Sequence, residues 1–517
     1  GEHVSFANCG LPYHIAGEIG SRDALLVQSA DDLRKRFRLD VRPRHDVLSI
    51  DRARKVVRVK DLTADREFEQ SYDALVLSPG AASIRPGVPG SYLPCVHTLR
   101  DLTDMDRIKG AVDAKPQGRA LIVGRGFIGL EMAEALRRRE WSVLLVEKSH
   151  QVLAPADREM AALVARELRH HGVEVLTNVD YHGAGYSPDG LVPADLGGRQ
   201  EAVDLVILAI GVRAEVGLAK AAGLELGERG GIKVDGHMRT SDPAIYAVGD
   251  VVEVTDPVTG RASLVPLAGP ANRQGRIAAD NLAGIPSVYR GTQGTAIVRV
   301  FDPTFALTGA SEKSLRSAGM VFEKIYLHPS QHAGYFPGAA PLQIKLLFAP
   351  DSGRILGAQM AGTEGVDKRI DVLATAIQAR MTVHDLEELE PAYAPPYGSA
   401  KDPINFLGFV ASNVLAGRMG IFHAEEAVAP GPGQLLPDVR TAHEFSEGAI
   451  PGAINIPVDD VRRRIGELPP DKELLVYCRV GLRGYIATRI LVQAGYRARN
   501  LSGGWLTWEA WNEAKVA

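Results

Sequence analysis

The sequence predicts an α/β protein built of several domains. Three observations lead there. At 517 residues the chain is too long for one hydrophobic core. Short apolar runs that end at glycine alternate with stretches of helical spacing. From about Gly291 the order changes to several strands followed by helices, an α+β layout.

The elements follow in order. Tyr72–Gly80 is an apolar run closing on Pro79-Gly80, and Ala120–Val123 ends in Gly124. Ile128–Arg138 has helical spacing and Val143–Glu147 is the next strand, which completes a βαβ unit. Val203–Gly211 and Ile245–Val248 are further buried strands. Thr295–Val300, Phe322–His328 and Gln343–Phe348 then read as strands, and Lys368–Arg380 and Val383–Glu390 as helices. Ala427–Gln434 is rich in Pro, Gly and Ala and reads as a linker. A smaller α/β unit, Leu435–Ala517, closes the chain.

Bulk properties exclude some classes of function. The chain is 45% hydrophobic and 24% charged with a net charge of -4, so nothing electrostatic favours nucleic acid or an anionic membrane as partner. No apolar run is long enough to span a bilayer. The three cysteines, Cys9, Cys95 and Cys478, are too few and too far apart for a disulfide framework, which points to a reducing, cytoplasmic setting. Residue 1 is Gly and a reactive-looking motif follows within ten residues, so the chain reads as one whose natural first segment is absent.

Gly124-Arg-Gly-Phe-Ile-Gly129 follows a strand and opens a helix, with Glu147 at the end of the next strand. Gly124, Gly126 and Gly129 permit a tight turn, close approach of backbone to a pyrophosphate, and close helix–strand packing. The helix N-terminus stabilises phosphate charge. Glu147 is placed to accept from an adenosine ribose, which favours NADH over its 2′-phosphorylated form; the neighbouring Lys148 would blunt that preference.

Thr240-Ser-Asp-Pro-Ala-Ile-Tyr-Ala-Val-Gly-Asp250 is a small-residue strand that delivers Asp250 directly after Gly249. Its carboxylate can accept from a ribityl hydroxyl while the next N–H groups approach phosphate. Together with Leu75–Gly80 it resembles the second FAD motif of the two-dinucleotide-domain flavoprotein reductases. Those chains open with their own strand, glycine motif and helix for FAD, and that element is not in this sequence. By the same resemblance Gly80, Leu267 and Ala268 contact the flavin nucleotide.

Ser5-Phe-Ala-Asn-Cys9-Gly-Leu-Pro-Tyr13 places a cysteine before Gly at an expected helix N-terminus, where dipole and backbone donors would stabilise its thiolate. Two-cysteine reductases have a second Cys five residues on; here that position is His14. The partner of oxidised Cys9 is therefore external, or the oxidised form is a sulfenic acid. From residue 1 to about 415 the chain resembles the single-cysteine coenzyme A-disulfide reductases, NADH oxidases and persulfide reductases. The resemblance implies FAD and NAD(P)H as cofactors, with coenzyme A a further candidate ligand. It makes Cys9 the redox centre and Ser5 and Asn8 contacts of the substrate thiol. Cys95 reads as a small core residue.

Glu390-Pro-Ala-Tyr393-Ala-Pro-Pro-Tyr397-Gly-Ser-Ala-Lys401-Asp-Pro-Ile-Asn405 resembles the interface motif of this subfamily. It implies a homodimer in which the loop reaches the other subunit's flavin and cysteine. Tyr393 or Tyr397 would donate a proton to a leaving thiolate, and Lys401 would bind substrate phosphate. Where relatives often carry His after Pro-Leu-Ala, this chain has Asn272. His328 and His332 are expected on the surface.

Val476-Tyr-Cys478-Arg-Val-Gly-Leu-Arg483 is strand, cysteine, tight loop and helix. N–H groups directed at the sulfur, the helix dipole and Arg483 would favour a thiolate or an anionic persulfide. Asp438-Val-Arg440, Gly452–Pro457 and Leu501-Ser-Gly-Gly-Trp505 flank it, and the whole resembles a single rhodanese domain. A phosphatase is the rival for Cys-x4-Arg, although those loops usually hold one more residue.

The expected architecture is thus two Rossmann-like dinucleotide-binding domains, for FAD and NAD, an α+β dimerisation domain, and a C-terminal rhodanese α/β domain. Residues 1–112 and 235–297 form the two parts of the FAD domain, 113–234 the NAD(P)H domain and 298–415 the dimerisation domain. Residues 416–434 are the linker and 435–517 the rhodanese domain. The expected activity is reduction of persulfides, polysulfides or CoA disulfide through Cys9, with Cys478 handling sulfane sulfur. The rivals are an NADH oxidase cycling through a sulfenic acid and a non-enzymatic redox sensor.

Overall fold

The computed structural model describes residues 1–186, 191–428 and 430–516. These fall into two compact units, residues 1–150 with 168–294, and residues 151–167 with 295–517. Among the described residues no helix is long and apolar enough to cross a membrane.

The first unit begins with a short helix, α1 (Leu11–Ala16), which has Pro12 in its first turn and ends at Gly17 in the left-handed region. The strand expected across Tyr72–Gly80 is shorter, β1 (Leu75–Leu77), because Pro79 offers no N–H to continue pairing. Next come β2 (Val96–His97), β3 (Arg119–Val123), α2 (Phe127–Arg138) and β4 (Ser142–Val146). They are followed by β5 (Val173–Leu176), β6 (Leu205–Leu208), β7 (Ile245–Ala247) and α3 (Ala268–Leu282).

One parallel sheet has the order β5-β4-β3-β6-β2. Its central strands are apolar on both faces, as a parallel sheet covered on both sides requires, and all four residues of β6 are buried. Gly124 leaves β3 at the carboxyl edge of this sheet, its N–H bonded to Val146 O at 2.9 Å. β7 pairs in parallel with β1, Ile245 opposite Leu75. Ile245, Ala247, Val251, Val252 and Met238 form the core beneath that pair.

The second unit holds an antiparallel sheet of β8 (Ala296–Arg299), β9 (Thr304–Gly309), β10 (Glu323–Leu327), β11 (Gln343–Phe348) and β12 (Ile355–Gly362), in the order β8-β9-β12-β11-β10. Helix α4 (Val366–Gln378) packs on it, and α5 (Val383–Glu388) and α6 (Pro403–Leu415) follow. Lys345 is fully buried, its Nζ 2.8 Å from Asp157, 2.5 Å from Glu159 and 2.6 Å from Glu312. The lysine therefore supplies the positive charge that this carboxylate cluster requires.

The chain ends in a parallel sheet of β13 (Ile421–Phe422), β14 (Gln434–Asp438), β15 (Ala453–Asn455), β16 (Glu473–Val476) and β17 (Ala498–Leu501). The order is β13-β17-β16-β14-β15, with α7 (Leu482–Gln493) and α8 (Gly504–Val516) after the strands. This corrects the expected linker. Residues 421–422 are an edge strand of the last sheet, and Phe422 is wholly buried with Leu436, Leu475, Tyr477 and Leu501. Ala429 of that stretch lies outside the described residues.

The two histidines expected on the surface are also not there. His332 is buried and its Nε2 lies 3.3 Å from Phe336 O. His328 is packed between β10 and α8, with Nε2 2.8 Å from Thr507 Oγ1. Burial pushes its pKa down to about 4.

Candidate active sites

Cys9 is exposed, in a single 3-10 turn (Asn8–Gly10) that runs into α1. Ser5 is half-buried, in a two-residue strand paired with Gln28, and Asn8 is exposed one residue before the thiol. The expectation of a dipole-stabilised thiolate is corrected here. α1 has only six residues and starts after the cysteine, so its dipole offers little. Crowding of the sulfur raises the thiol pKa, and the carboxylates of Glu131 and Asp250 raise it further. Tyr13, from the same motif, donates to Glu131 at 3.4 Å.

The glycine motif behaves as its spacing suggests. A Cβ on Gly124 would lie 2.4 Å from Ala209 O, and one on Gly129 would lie 2.2 Å from Gly124 O. Both positions therefore exclude any larger residue. A Cβ on Gly126 would meet nothing, so the N-terminus of α2 is open to a ligand, with no side chain capping it. That combination fits a dinucleotide pyrophosphate. Glu147 stands half-buried at the end of β4, one carboxylate oxygen 2.9 Å from Ser149 N. Lys148 is turned away and paired with Asp180 at 2.7 Å.

Gly249 and Asp250 form a 3-10 turn after β7. Gln274 of α3 accepts from Gly249 N at 2.7 Å, which brings Gly249 to the first turns of the helix that begins at Leu267 and Ala268. Gly80 takes φ +74° beside Arg100. Desolvation raises the pKa of Asp250 and Arg100 opposes that shift. This grouping of glycine backbone, carboxylate and arginine suits a second dinucleotide. Asn272 donates to Ala268 O at 2.9 Å, one turn back along its own helix, and is exposed.

In the second unit the loop 390–402 is anchored by the buried pair Arg369–Asp402, at 2.8 Å. Arg369 also donates to Gln331 O at 2.6 Å, and Ala333 N donates to Gly398 O at 2.9 Å. These bonds hold loop 332–338 beside loop 390–402. As a result Tyr335, which sequence reasoning missed, lies 3.2 Å from Tyr393, oxygen to oxygen, and both are exposed. Tyr397 is exposed and outside that pair. The available signal was an aromatic in the glycine-rich run His332-Ala-Gly-Tyr335-Phe-Pro-Gly338, but nothing in spacing alone reports a contact across 58 residues. Lys401 is exposed, its Nζ 6.0 Å from the Phe406 ring centre.

Cys478 lies two residues beyond β16, fully buried, and Gly481 N donates to Sγ at 3.1 Å. Gly481 takes φ +99° to make that turn. Arg483 lies close enough for its charge to act on Cys478, as expected. It makes a two-pronged pair with Glu444, both contacts 2.7 Å, which holds Glu444 down to about 2. Asp438 binds Arg440, whose guanidinium lies 4.6 Å from the Trp505 ring centre. Trp505 N and Leu506 N donate to Cys478 O and Arg479 O, so the start of α8 braces the cysteine loop. Cys95 is partly buried and packs against the core around Val96 and Val206.

Three regions match known families: pyridine nucleotide-disulphide oxidoreductase over residues 1–275, its dimerisation domain over 295–402, and a rhodanese-like domain over 424–510. A coenzyme A disulfide reductase of Staphylococcus haemolyticus is 34% identical over 412 residues, 80% of this chain and 92% of the relative. The reduced CoADR-RHD of Bacillus anthracis is 46% identical with a TM-score of 0.95, over 99% of this chain and 92% of that one. The NAD-dependent persulfide reductase from A. fulgidus is 37% identical with a TM-score of 0.91, over 98% and 94%. A water-forming NADH oxidase from Lactobacillus brevis is 27% identical with a TM-score of 0.77, over 81% and 92%. With these family matches together spanning most of its length, the chain belongs to the pyridine nucleotide-disulphide oxidoreductases and carries a C-terminal rhodanese-like domain.

Proposed function

We propose that this protein is an FAD-dependent NAD(P)H oxidoreductase that reduces persulfides, polysulfides or CoA disulfide at Cys9, with Cys478 handling sulfane sulfur. The observation that carries the reading is one thiol in each of two unlike settings. Cys9 is exposed, without a second cysteine near it, and Cys478 lies in a rhodanese-like loop. Relatives that cover nearly the whole chain include a CoADR-RHD and a persulfide reductase, whereas the NADH oxidase covers 81% of it.

The Cys9 thiolate attacks the outer sulfur of a persulfide or polysulfide, forming a Cys9 S–S bond as the substrate S–S bond breaks and the departing thiolate takes a proton; with CoA disulfide the same attack leaves a Cys9–CoA mixed disulfide. In the homodimer that the family resemblance implies, loop 390–402 reaches the other subunit's cysteine; Tyr393, hydrogen-bonded to Tyr335, is the proposed donor, with Tyr397 and Lys401 flanking the substrate. Bound FAD and NAD(P)H would supply the two electrons that cleave the Cys9 S–S bond, so that hydrosulfide or CoA thiol leaves and Cys9 returns to its thiolate. The residues proposed to hold them are Gly80, Gly249, Asp250, Leu267 and Ala268 for FAD, and Gly124, Gly126, Gly129 and Glu147 for NAD(P)H. Ser5 and Asn8 contact the substrate thiol, and the protein works as a homodimer. Cys478 carries sulfane sulfur as a persulfide, with Arg483 shaping the loop through Glu444.

Stopped-flow kinetics test this. Cys9→Ser is expected to keep flavin reduction by NADH and lose reduction of CoA persulfide. Cys478→Ser is expected to keep the latter and lose thiosulfate-to-thiol sulfur transfer. Wild-type turnover of CoA persulfide by Cys9→Ser would sink the thiol assignment, and oxygen consumption matching persulfide turnover would favour the oxidase reading.

A further inference from the structure

Arg125, the residue between the first two glycines of the Gly124–Gly129 motif, is only 2% exposed. Its Nη2 donates to Ser149 O at 3.2 Å, whereas Nε and Nη1 are buried with no hydrogen-bond partner. An ionised guanidinium left with two unmatched N–H nitrogens is costly. Such a group calls for a partner that completes it, an ordered water or a bound ligand. Its place in the fold says which ligand. Ser149 lies two residues beyond Glu147 and its N–H binds the Glu147 carboxylate, so cation and carboxylate flank one backbone turn at the end of β4. That turn is where a dinucleotide bound along α2 presents its adenosine ribose.

The charges there can be counted. Glu147 alone would repel a 2′-phosphate. Lys148 does not offset it, being committed to Asp180. The guanidinium, which feels the Glu147 charge, does; burial nonetheless pushes the Arg125 pKa down to about 10, so it remains a cation at neutral pH. Arg presents a rigid fork of donors suited to phosphate oxygens.

We infer that Arg125 is a specificity-determining residue of the nicotinamide site, donating to the 2′-phosphate of NADPH so that the site accepts NADPH as well as NADH. This rests on the NAD(P)H reading above, and the reaction itself is unchanged. It also revises the NADH preference expected from Glu147 alone.

Direct binding by calorimetry on the intact protein separates the possibilities, with two probes that carry no nicotinamide. 2′,5′-ADP bears the 2′-phosphate without a pyrophosphate; ADP-ribose bears the pyrophosphate without a 2′-phosphate. Wild-type protein is expected to bind both. Arg125→Ala is expected to weaken 2′,5′-ADP about tenfold or more, the loss of one charge-assisted contact, and to leave ADP-ribose within about twofold. Arg125→Lys should recover part of the loss, which a purely structural arginine would not show. Equal weakening of both probes, or no weakening of either, overturns the inference. ADP-ribose failing to bind wild-type protein would instead overturn the nicotinamide site itself.

Discussion

Gly504 stands at φ +62° where a Cβ would lie 2.4 Å from the carbonyl oxygen of Cys478. The next residue donates its N–H to that same oxygen. Gly504→Ala should therefore displace the brace under the cysteine loop at a cost of about 1–3 kcal/mol. Thiosulfate sulfurtransferase activity is expected to fall at least tenfold while flavin reduction by NADH stays at the wild-type rate; an unchanged sulfurtransferase rate would remove the argument. At this scale the reactive residues were legible, because Cys9, Cys478 and the glycines sit in short motifs with local logic. Their electrostatic surroundings were not. Glu131 and Asp250, which raise Cys9, are more than a hundred residues away from it, and Glu444, which holds Arg483, is 39 residues before it.

Strands and helices came through the sequence with shifts of one to three residues at their ends. Gln343–Phe348 was read in full, and the β3–α2–β4 unit within a residue or two at its ends. Other elements were not read at all, among them β5, α3 and α6, and β13 was taken for linker. Two residues carry no periodicity, and the prolines and glycines that follow them suggested a linker. Phe422 nevertheless fills the core of the last sheet, with the Arg499 guanidinium 5.7 Å from its ring centre. Phe422→Ala should cost about 3–5 kcal/mol, as for a large aromatic removed from a closed core. Urea unfolding followed through the tryptophans Trp505, Trp508 and Trp511 would measure it; a change below about 1 kcal/mol would mean that β13 is a passive edge.

Each unit as a whole carries a buried histidine with an acid consequence. In the first, His97 is held at about 4 by burial and by Arg85 and Arg107. In the second, His328 is held at about 4 by burial between β10 and α8. The unfolded chain takes up these protons near pH 6.5 and the folded one does not until about 4. Stability is therefore full above about pH 6.5 and falls as the pH drops towards 4, by up to about 1.4 kcal/mol per pH unit for each histidine. Denaturant midpoints at pH 7.5, 6 and 5 should show that decline, and His328→Gln should flatten it for the second unit. A midpoint independent of pH over this range would contradict the burial of both rings. His328 also joins the dimerisation sheet to the helix that braces Cys478, and β10 gives the same loop a bond from Tyr326 N to Ser502 Oγ at 3.0 Å. The last domain, expected to follow a linker, is thereby docked within its unit.

The sequence by itself determined the fold class, the domain types and where the two candidate thiols lie. Each rests on local order: alternation of strand and helix, glycines at fixed spacing, a cysteine beside its loop. Only the tertiary structure decided what surrounds those groups. It brought Tyr335 to Tyr393, turned Arg483 to Glu444 and Lys148 to Asp180, buried His328 and His332, and left Arg125 under-bonded beside Glu147. Hydrogen bonding, burial and charge act through space, so residues far apart in the chain settle them, and a one-dimensional pattern holds no record of that distance.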